Sequence, residues 1–347
     1  MKDSMIIRSR SPLRLGLAGG GTDVPPYCDE HGGIVLSASI SKYAYATWNF
    51  VKGTPLEVNS RDLNVTEEIR DIVNYEGKTG LIKATMNVLG VKPGEHGGQI
   101  ILHSDAPVGS GLGTSSSVNV GLIGVLWEGL GLTAEKPLHR RSTWHEIARL
   151  AHLAERKELG IAGGYQDQYI SAYGGFCIIK KRSGKEEIEV IPLKMHDDAI
   201  AELEGSILLC DVKQHRHGGS IIQAQVDAFK SGQNIEILGK MKELVDPITN
   251  AMLKGDAKEF GQLLHQSWML KKDIAAGTSN SYIDSLYEKA LKTGAVYGGK
   301  ITGAGGGGHM ALVTDPVRKE EVKKALEGWV EFKEFSFEKK GLHVWRP

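Results

Sequence analysis

Residues 107–126 open with Pro107-Val108-Gly109-Ser110-Gly111-Leu112-Gly113-Thr114-Ser115-Ser116-Ser117 and continue through Val118, Leu122, Val125 and Leu126. Three glycines at alternate positions let the backbone enter the left-handed region and pass close to a ligand. The apolar residues that follow fall at i, i+4, i+7 and i+8, the spacing of one helix face, with hydroxyls at its start. A helix start exposes unpaired N–H groups and the positive end of the macrodipole, so the stretch reads as a cradle for a di- or triphosphate. A glycine loop capped by an ordinary Ser or Thr would look similar, and the remaining sequence has to decide.

Working outward, residues 99–103 form a short strand that delivers the chain into the cradle. Further upstream Leu13, Leu15 and Leu17 alternate with Arg14 and Gly16, a half-buried strand running into Gly19-Gly20-Gly21-Thr22-Asp23. Residues 33–48 are β-rich, and 66–89 carry a helical pattern interrupted near 77–80. Downstream, 144–159 is helical in period, with Ile147, Leu150, Ala151 and Ala154 on one face, and ends in a glycine-rich turn before Tyr165-Gln166-Asp167-Gln168. Strands are expected at 176–180 and 188–193, then a charged turn at 194–204. A boundary there divides the chain into 1–195 and 196–347. The second half reads as a strand at 207–211, helices near 218–231, 234–253, 256–273 and 280–293, and a glycine stretch at 298–308. A strand at 310–313, a helix at 316–328 and an alternating segment at 330–345 complete it. The pattern is α+β in both halves.

The chain has 347 residues, with 42 Lys+Arg against 42 Asp+Glu, so no global field favours nucleic acid or an anionic membrane. Any anion site is local. Cys28, Cys177 and Cys210 lack C-x-x-C spacing and read as reduced thiols of a cytoplasmic protein. No signal-peptide core is expected at the N-terminus, and no apolar run approaches the roughly 20 residues of a membrane span. Oligomeric state is not legible.

The cradle lacks the lysine of a G-x-x-x-x-G-K-[ST] loop, and residues 16–21 do not fit G-x-G-x-x-G. Three segments together, Ser11-Pro12-Leu13-Arg14 to Asp23, residues 107–117 and residues 300–308, resemble the three motifs of the GHMP kinase superfamily. Within it the text at 14–45, 163–169 and 303–308 is most similar to bacterial D-glycero-D-manno-heptose 7-phosphate kinases, with fucokinases sharing part. The resemblance implies a two-domain fold, ribosomal-S5-like with a left-handed β-α-β element and then ferredoxin-like, with the site in the cleft between. It also implies ATP and Mg²⁺ as cofactors and a small-molecule sugar phosphate as acceptor, phosphorylated at its anomeric C1 hydroxyl. A fucokinase- or galactokinase-like enzyme of an unphosphorylated sugar is the alternative, and a non-catalytic sensor of the same fold a more distant one.

Carried over residue by residue, Pro107, Gly109, Ser110, Gly111, Leu112, Gly113, Thr114, Ser115 and Ser116 bind ATP, and Ser115 ligates Mg²⁺. One hydroxyl and one carboxylate suit an ion that keeps water and phosphate oxygens. For the carboxylate, family spacing favours Glu155, whereas helical geometry puts Glu158 nearer the centre of the apolar face. Asp167 matches the catalytic base or orienter, and Arg14 the basic residue that holds it ionised and stabilises the transferred phosphoryl group. Gly20, Gly21, Thr22, Asp23, Gly164, Gln166, Arg216, Gly305 and Gly306 are expected at the acceptor. A second phosphate would need cations: Lys213, His215, Arg216 and His217 are candidates, as are Lys83, Lys271 and Lys272. The histidines lack a carboxylate or cysteine at metal-ligand spacing. His309 is expected to pack in the core.

Overall fold

The computed structural model describes residues 4–214 and 218–347. The first part of the chain runs β1 (Ser4–Ala18), α1 (Tyr27–His31), β2 (Gly33–Lys52), β3 (Leu56–Ser60), β4 (Val65–Ile69), α2 (Gly80–Val88), β5 (His96–Ser104), α3 (Thr114–Gly129), α4 (Arg141–Leu153), a π-helical turn (Ala154–Glu158), α5 (Gln166–Tyr173), β6 (Phe176–Lys181) and β7 (Ile188–Leu193). It continues with α6 (Asp197–Ser206), β8 (Ile207–Asp211), α7 (Gly219–Lys230), α8 (Ile235–Glu243), α9 (Val245–Lys254), α10 (Ala257–Lys272), α11 (Ser281–Leu291), β9 (Val296–Ile301), β10 (His309–Thr314), α12 (Lys319–Ala325), β11 (Glu331–Lys333) and β12 (His343–Trp345).

One sheet is eight-stranded, along β12-β1-β2-β5-β3-β4 with β6 on β2 and β7 on β6; the other is four-stranded, β11-β8-β10-β9. β1 holds them together. Its register against β2 shifts between Pro12 and Leu13. Before the shift, the Ser9 and Ser11 hydroxyls donate to the α3 carbonyls of Gly121 and Ser117. After it, Leu13, Leu15 and Leu17 join a core shared with Val245 and Ile248 of α9 and Phe260 of α10, while Arg14 turns toward α3 and α5. Such irregularities re-aim side chains beside functional sites. Burial on both faces also explains why Arg14 is only 4% exposed rather than a surface residue.

Four segments depart from the sequence reading. The helix expected from 66 begins as strand β4, paired antiparallel to β3 through a turn in which Asn64 takes φ 47°. The charged turn at 194–204 is largely α6: Asp197 and Asp198 sit in its first turn, favoured by the macrodipole, and Ala199, Ile200 and Leu203 are buried. The single helix at 234–253 is two, α8 and α9, with Pro247 in the first turn of α9, where its missing N–H costs nothing. The C-terminal residues return to the first sheet, Trp345 pairing with Arg8 and Phe337 bridging to Ile40. A linear division at 195/196 therefore assigns β12 to the half opposite its partner strand.

Candidate active site

In the glycine loop Gly109, Gly111 and Gly113 have φ of 80°, 75° and 77°. Gly113 caps α3 with no side chain bonded to the helix start, which leaves its N–H groups for a ligand. Around it, Ser110 N–H donates to Pro107 O (3.2 Å), the Ser110 and Thr114 hydroxyls pair at 3.0 Å, and the carbonyl of buried Leu112 accepts from Arg14 N–H at 3.0 Å. These residues hold the loop's shape. The 300–308 stretch braces it from outside: His309 Nδ1–H donates to Ser110 O at 2.8 Å, and a Cβ on Gly303 would lie 2.9 Å from Gly111 Cα. In the run that follows, a Cβ on Gly305, Gly307 or Gly308 would meet the backbone carbonyl of Thr278, Gln214 or Ser110 at 2.6, 2.1 or 2.4 Å, so these three glycines are required by backbone packed on backbone, and His309 has a loop-positioning role beyond its burial.

Beside the loop, Arg14 grips Asp167 with two bonds of 2.7 Å, Nε to Oδ1 and Nη2 to Oδ2, and its Nη1 donates to Gly111 O at 2.5 Å. Asp167 lies in the first turn of α5, where the macrodipole favours its charge. Asp23 is 1% exposed and accepts from Gly21 N–H (3.1 Å), Gln166 N–H (3.3 Å) and Gln166 Nε2 (3.2 Å). It caps α5 from another part of the chain. Burial raises its carboxyl above the usual range, and Asp167 adds to that, against the lowering effect of the backbone N–H groups.

Arg14, Gly20, Gly21, Asp23, Gly164, Gln166 and Asp167 line one cavity of about 100 Å³, closed from the second half by Ile222 and Gln225 of α7, Lys271 of α10 and Gly303. Gln225 Nε2 donates to Gly21 O at 2.7 Å. The sequence reading did not single out α7; the glycine-rich start at 218–219 marked a helix there, but not which face it turns to Gly21. Of the expected acceptor residues, Thr22 lies outside the lining: its hydroxyl donates to Ile34 O and accepts from Ile34 N–H, pinning the turn to β2. Gly305 and Gly306 are also outside it, packed on Thr278, whose carbonyl accepts Gly306 N–H at 2.7 Å. Arg216, His215 and His217 fall outside the described residues.

Among the three helical lysines, Lys83 pairs with Glu67 and Lys272 with Asp284, each at 2.7 Å. Lys271 is the one in the cleft, 4% exposed, its ammonium bonded to Gly303 O. Burial and the neighbouring Arg14 pull it down to about 8 despite Asp23 and Asp167.

The rivalry between Glu155 and Glu158 is resolved in position by the π-turn. Glu155, four residues after buried Ala151, faces inward at 3% exposure, where it accepts from Ser116 Oγ (2.9 Å), Gln168 Nε2 (2.9 Å) and Asn119 Nδ2 (3.3 Å), and the wider turn displaces the later Glu158 from that face. Glu158 instead accepts from Tyr75 OH at 2.9 Å. Ser115 is exposed at the helix start, and the hydroxyl joined to Glu155 is that of Ser116, so the structure does not bring the expected Ser115–Glu155 pair into contact.

This donor set fits a divalent ion that arrives with phosphate. Glu155 is a buried carboxylate whose pKa is raised by burial, only partly offset by Arg156 at 3.4 Å. Among the described residues no group of three His, Cys, Asp or Glu side chains forms a self-contained metal site, so phosphate and water oxygens would complete the shell. Glu155→Gln should raise the Mg²⁺ concentration for half-maximal rate by about tenfold or more, with Glu158→Gln unchanged. The same titration on Ser115→Ala and Ser116→Ala decides which hydroxyl serves the ion, and the reverse pattern for the glutamates would remove Glu155 from the site.

Among the described residues no helix is long and apolar enough to cross a membrane. Residues 80–175 match the GHMP kinases N terminal domain and residues 248–331 the GHMP kinases C terminal. The chain is 36% identical over 347 residues to a Campylobacter jejuni D-glycero-alpha-D-manno-heptose 7-phosphate kinase, covering 98% of this chain and 99% of that one. It is 26% identical to the Bacteroides fragilis L-fucokinase/L-fucose-1-P guanylyltransferase, covering 98% of this chain but 38% of that longer protein. The crystal structure of a D-glycero-D-manno-heptose 1-phosphate kinase from Bacteroides thetaiotaomicron superposes with a TM-score of 0.78 at 33% identity, covering 98% and 99% of the two chains. The fold, the glycine cradle with its bracing third segment, and these matches over nearly the whole length agree: the chain belongs to the GHMP kinases and is an ATP-dependent phosphotransferase.

Proposed function

We propose that the chain phosphorylates the anomeric C1 hydroxyl of D-glycero-D-manno-heptose 7-phosphate, giving the 1,7-bisphosphate for synthesis of nucleotide-activated heptose. The observation that carries this is one cleft in which Asp167, held by Arg14, and Asp23, held by the α5 backbone, stand beside the phosphate cradle. The full-length similarity to a heptose 7-phosphate kinase supports the choice of sugar.

In this reading the α3 N-terminus and glycine loop bind the ATP phosphates, and Glu155 with a hydroxyl of Ser115 or Ser116 would hold Mg²⁺, which neutralises phosphate charge when bound. Asp23 and the Gln166 amide orient sugar hydroxyls. Asp167 orients the attacking hydroxyl and takes its proton late, so alignment and charge stabilisation supply most of the rate. Cytoplasmic location follows from the same reading.

Coupled ADP release across a panel of sugars and sugar phosphates tests it. The heptose 7-phosphate should give the highest kcat/KM. Equal or better use of fucose or galactose would replace it with the unphosphorylated-sugar reading. ATP binding without ADP release from any acceptor would favour a sensor.

A further inference from the structure

Resting on the kinase reading above, we infer that Lys271 is the side chain that directly contacts the phosphoryl group during transfer, and that Arg14 acts chiefly by positioning Asp167 and the glycine loop. The geometry divides the two cations. Arg14 uses Nε and one N–H of Nη2 on Asp167 and one N–H of Nη1 on Gly111 O, so the two donors left to it are held in the fixed directions of a pinned planar fork. Lys271 has three donors on a flexible stem, and the described residues give it one acceptor, Gly303 O.

Its position is that of a group between the two substrates. A Cβ added to Gly20, in the acceptor loop, would sit 3.8 Å from Lys271 Nζ, while Gly303, which Lys271 bonds, would press a Cβ to 2.9 Å from Gly111 of the phosphate loop. The ammonium thus stands where acceptor loop and phosphate loop meet, beside Asp167. It arrives from α10, so it completes the site only when the two halves of the chain are together. A lysine that merely tied the halves together would not need to be directed at the cavity or surrounded by both carboxylates.

The charged groups facing it are Arg14 from β1, Asp23 from the loop after β1 and Asp167 from α5, with Arg156 across the cavity; Lys300 from β9 is also titratable, but burial, Lys271 and Arg14 pull its ammonium well below the usual lysine range. Two carboxylates offset the Arg14 and Arg156 guanidiniums, so the Lys271 ammonium adds the positive charge that a phosphate would meet. In the step itself the acceptor hydroxyl oxygen forms the new P–O bond as the bond to ADP breaks. The electron pair of that bond leaves on ADP, and the hydroxyl proton passes to Asp167. Lys271 remains protonated throughout and offsets charge on the phosphoryl oxygens.

Kinetics of Lys271→Met and Lys271→Arg, with Lys272→Met as the control on the adjacent, ion-paired residue, test this. Lys271→Met should lower kcat by roughly 10²–10³ with phosphorylated and unphosphorylated acceptors alike, and Lys271→Arg should restore part of the loss. With the wild type, kcat/KM should fall above pH about 8, where the free enzyme's Lys271 loses its proton; in Lys271→Arg that alkaline limb should disappear. Three results would overturn the proposal: near-normal kcat in Lys271→Met, a loss confined to the KM of phosphorylated acceptors, or a wild-type profile that rises through pH 8 as for a lysine acting as base. If Lys271→Met fails to fold, the Lys271→Arg profile still decides, because a limb that persists unchanged cannot belong to Lys271. A wild type inactive on every acceptor would refute the kinase reading itself, which separates that failure from this one.

Discussion

Asp167→Asn should lower kcat by roughly 10²–10⁴ while the affinity for ATP, read by fluorescence or calorimetric titration, changes little. The substitution keeps the shape of the side chain but removes the charge that Arg14 holds with two 2.7 Å bonds. ATP affinity survives because the cradle's own contacts do not involve the carboxylate: its helix start, its Ser110–Thr114 pair and its brace from His309 all remain. Asn is preferable to Ala here, because its Oδ1 still accepts one Arg14 N–H, whereas truncation would leave the 5% exposed Arg14 side chain with no acceptor at this position; both variants lose the ion pair, so folded-state integrity is read alongside kcat. Near-normal turnover in Asp167→Asn would remove Asp167 from the chemistry.

Gly164→Ala should reduce kcat/KM for the acceptor by about 10² or more and leave the KM for ATP nearly unchanged. A Cβ at this position would lie 1.9 Å from Asp23 Oδ2 and 2.3 Å from Asp23 Cγ. Asp23 cannot swing away without releasing the Gly21 and Gln166 N–H groups, the second of which belongs to the start of α5. The clash therefore moves the acceptor loop or the helix that carries Asp167, and displacements on the scale of 1 Å are enough to cost two orders of magnitude. Unaltered acceptor kinetics would show that Asp23 lies outside the acceptor site.

The features legible in the sequence are those written in short-range patterns. The glycine loop followed by a hydroxyl-led helix, the alternation at Leu13 to Leu17, and the turn before Asp167 each depend on neighbours a few residues away. What escaped depends on register or on distant partners. The 3.6-residue period points to Glu158 rather than Glu155 because the π-turn at Ala154–Glu158 breaks that period where the glutamates lie. Ser115 is the hydroxyl expected to share the ion with Glu155, and it is Ser116 that α3 turns toward that carboxylate. Lys271 and Lys272 stand side by side as candidate phosphate ligands, yet a 100° step around α10 puts one in the cleft and the other on Asp284. The tail from Phe337 to Trp345 alternates like any edge strand, and nothing local says that it crosses back to β1.

The most direct test of the account is ³¹P NMR of the product made by the wild type from ATP and D-glycero-D-manno-heptose 7-phosphate. One ADP per sugar is expected, with a second phosphorus resonance coupled to the anomeric proton alongside the original 7-phosphate. A new phosphate on any other carbon, or no product from this sugar while a different acceptor is consumed, would contradict it.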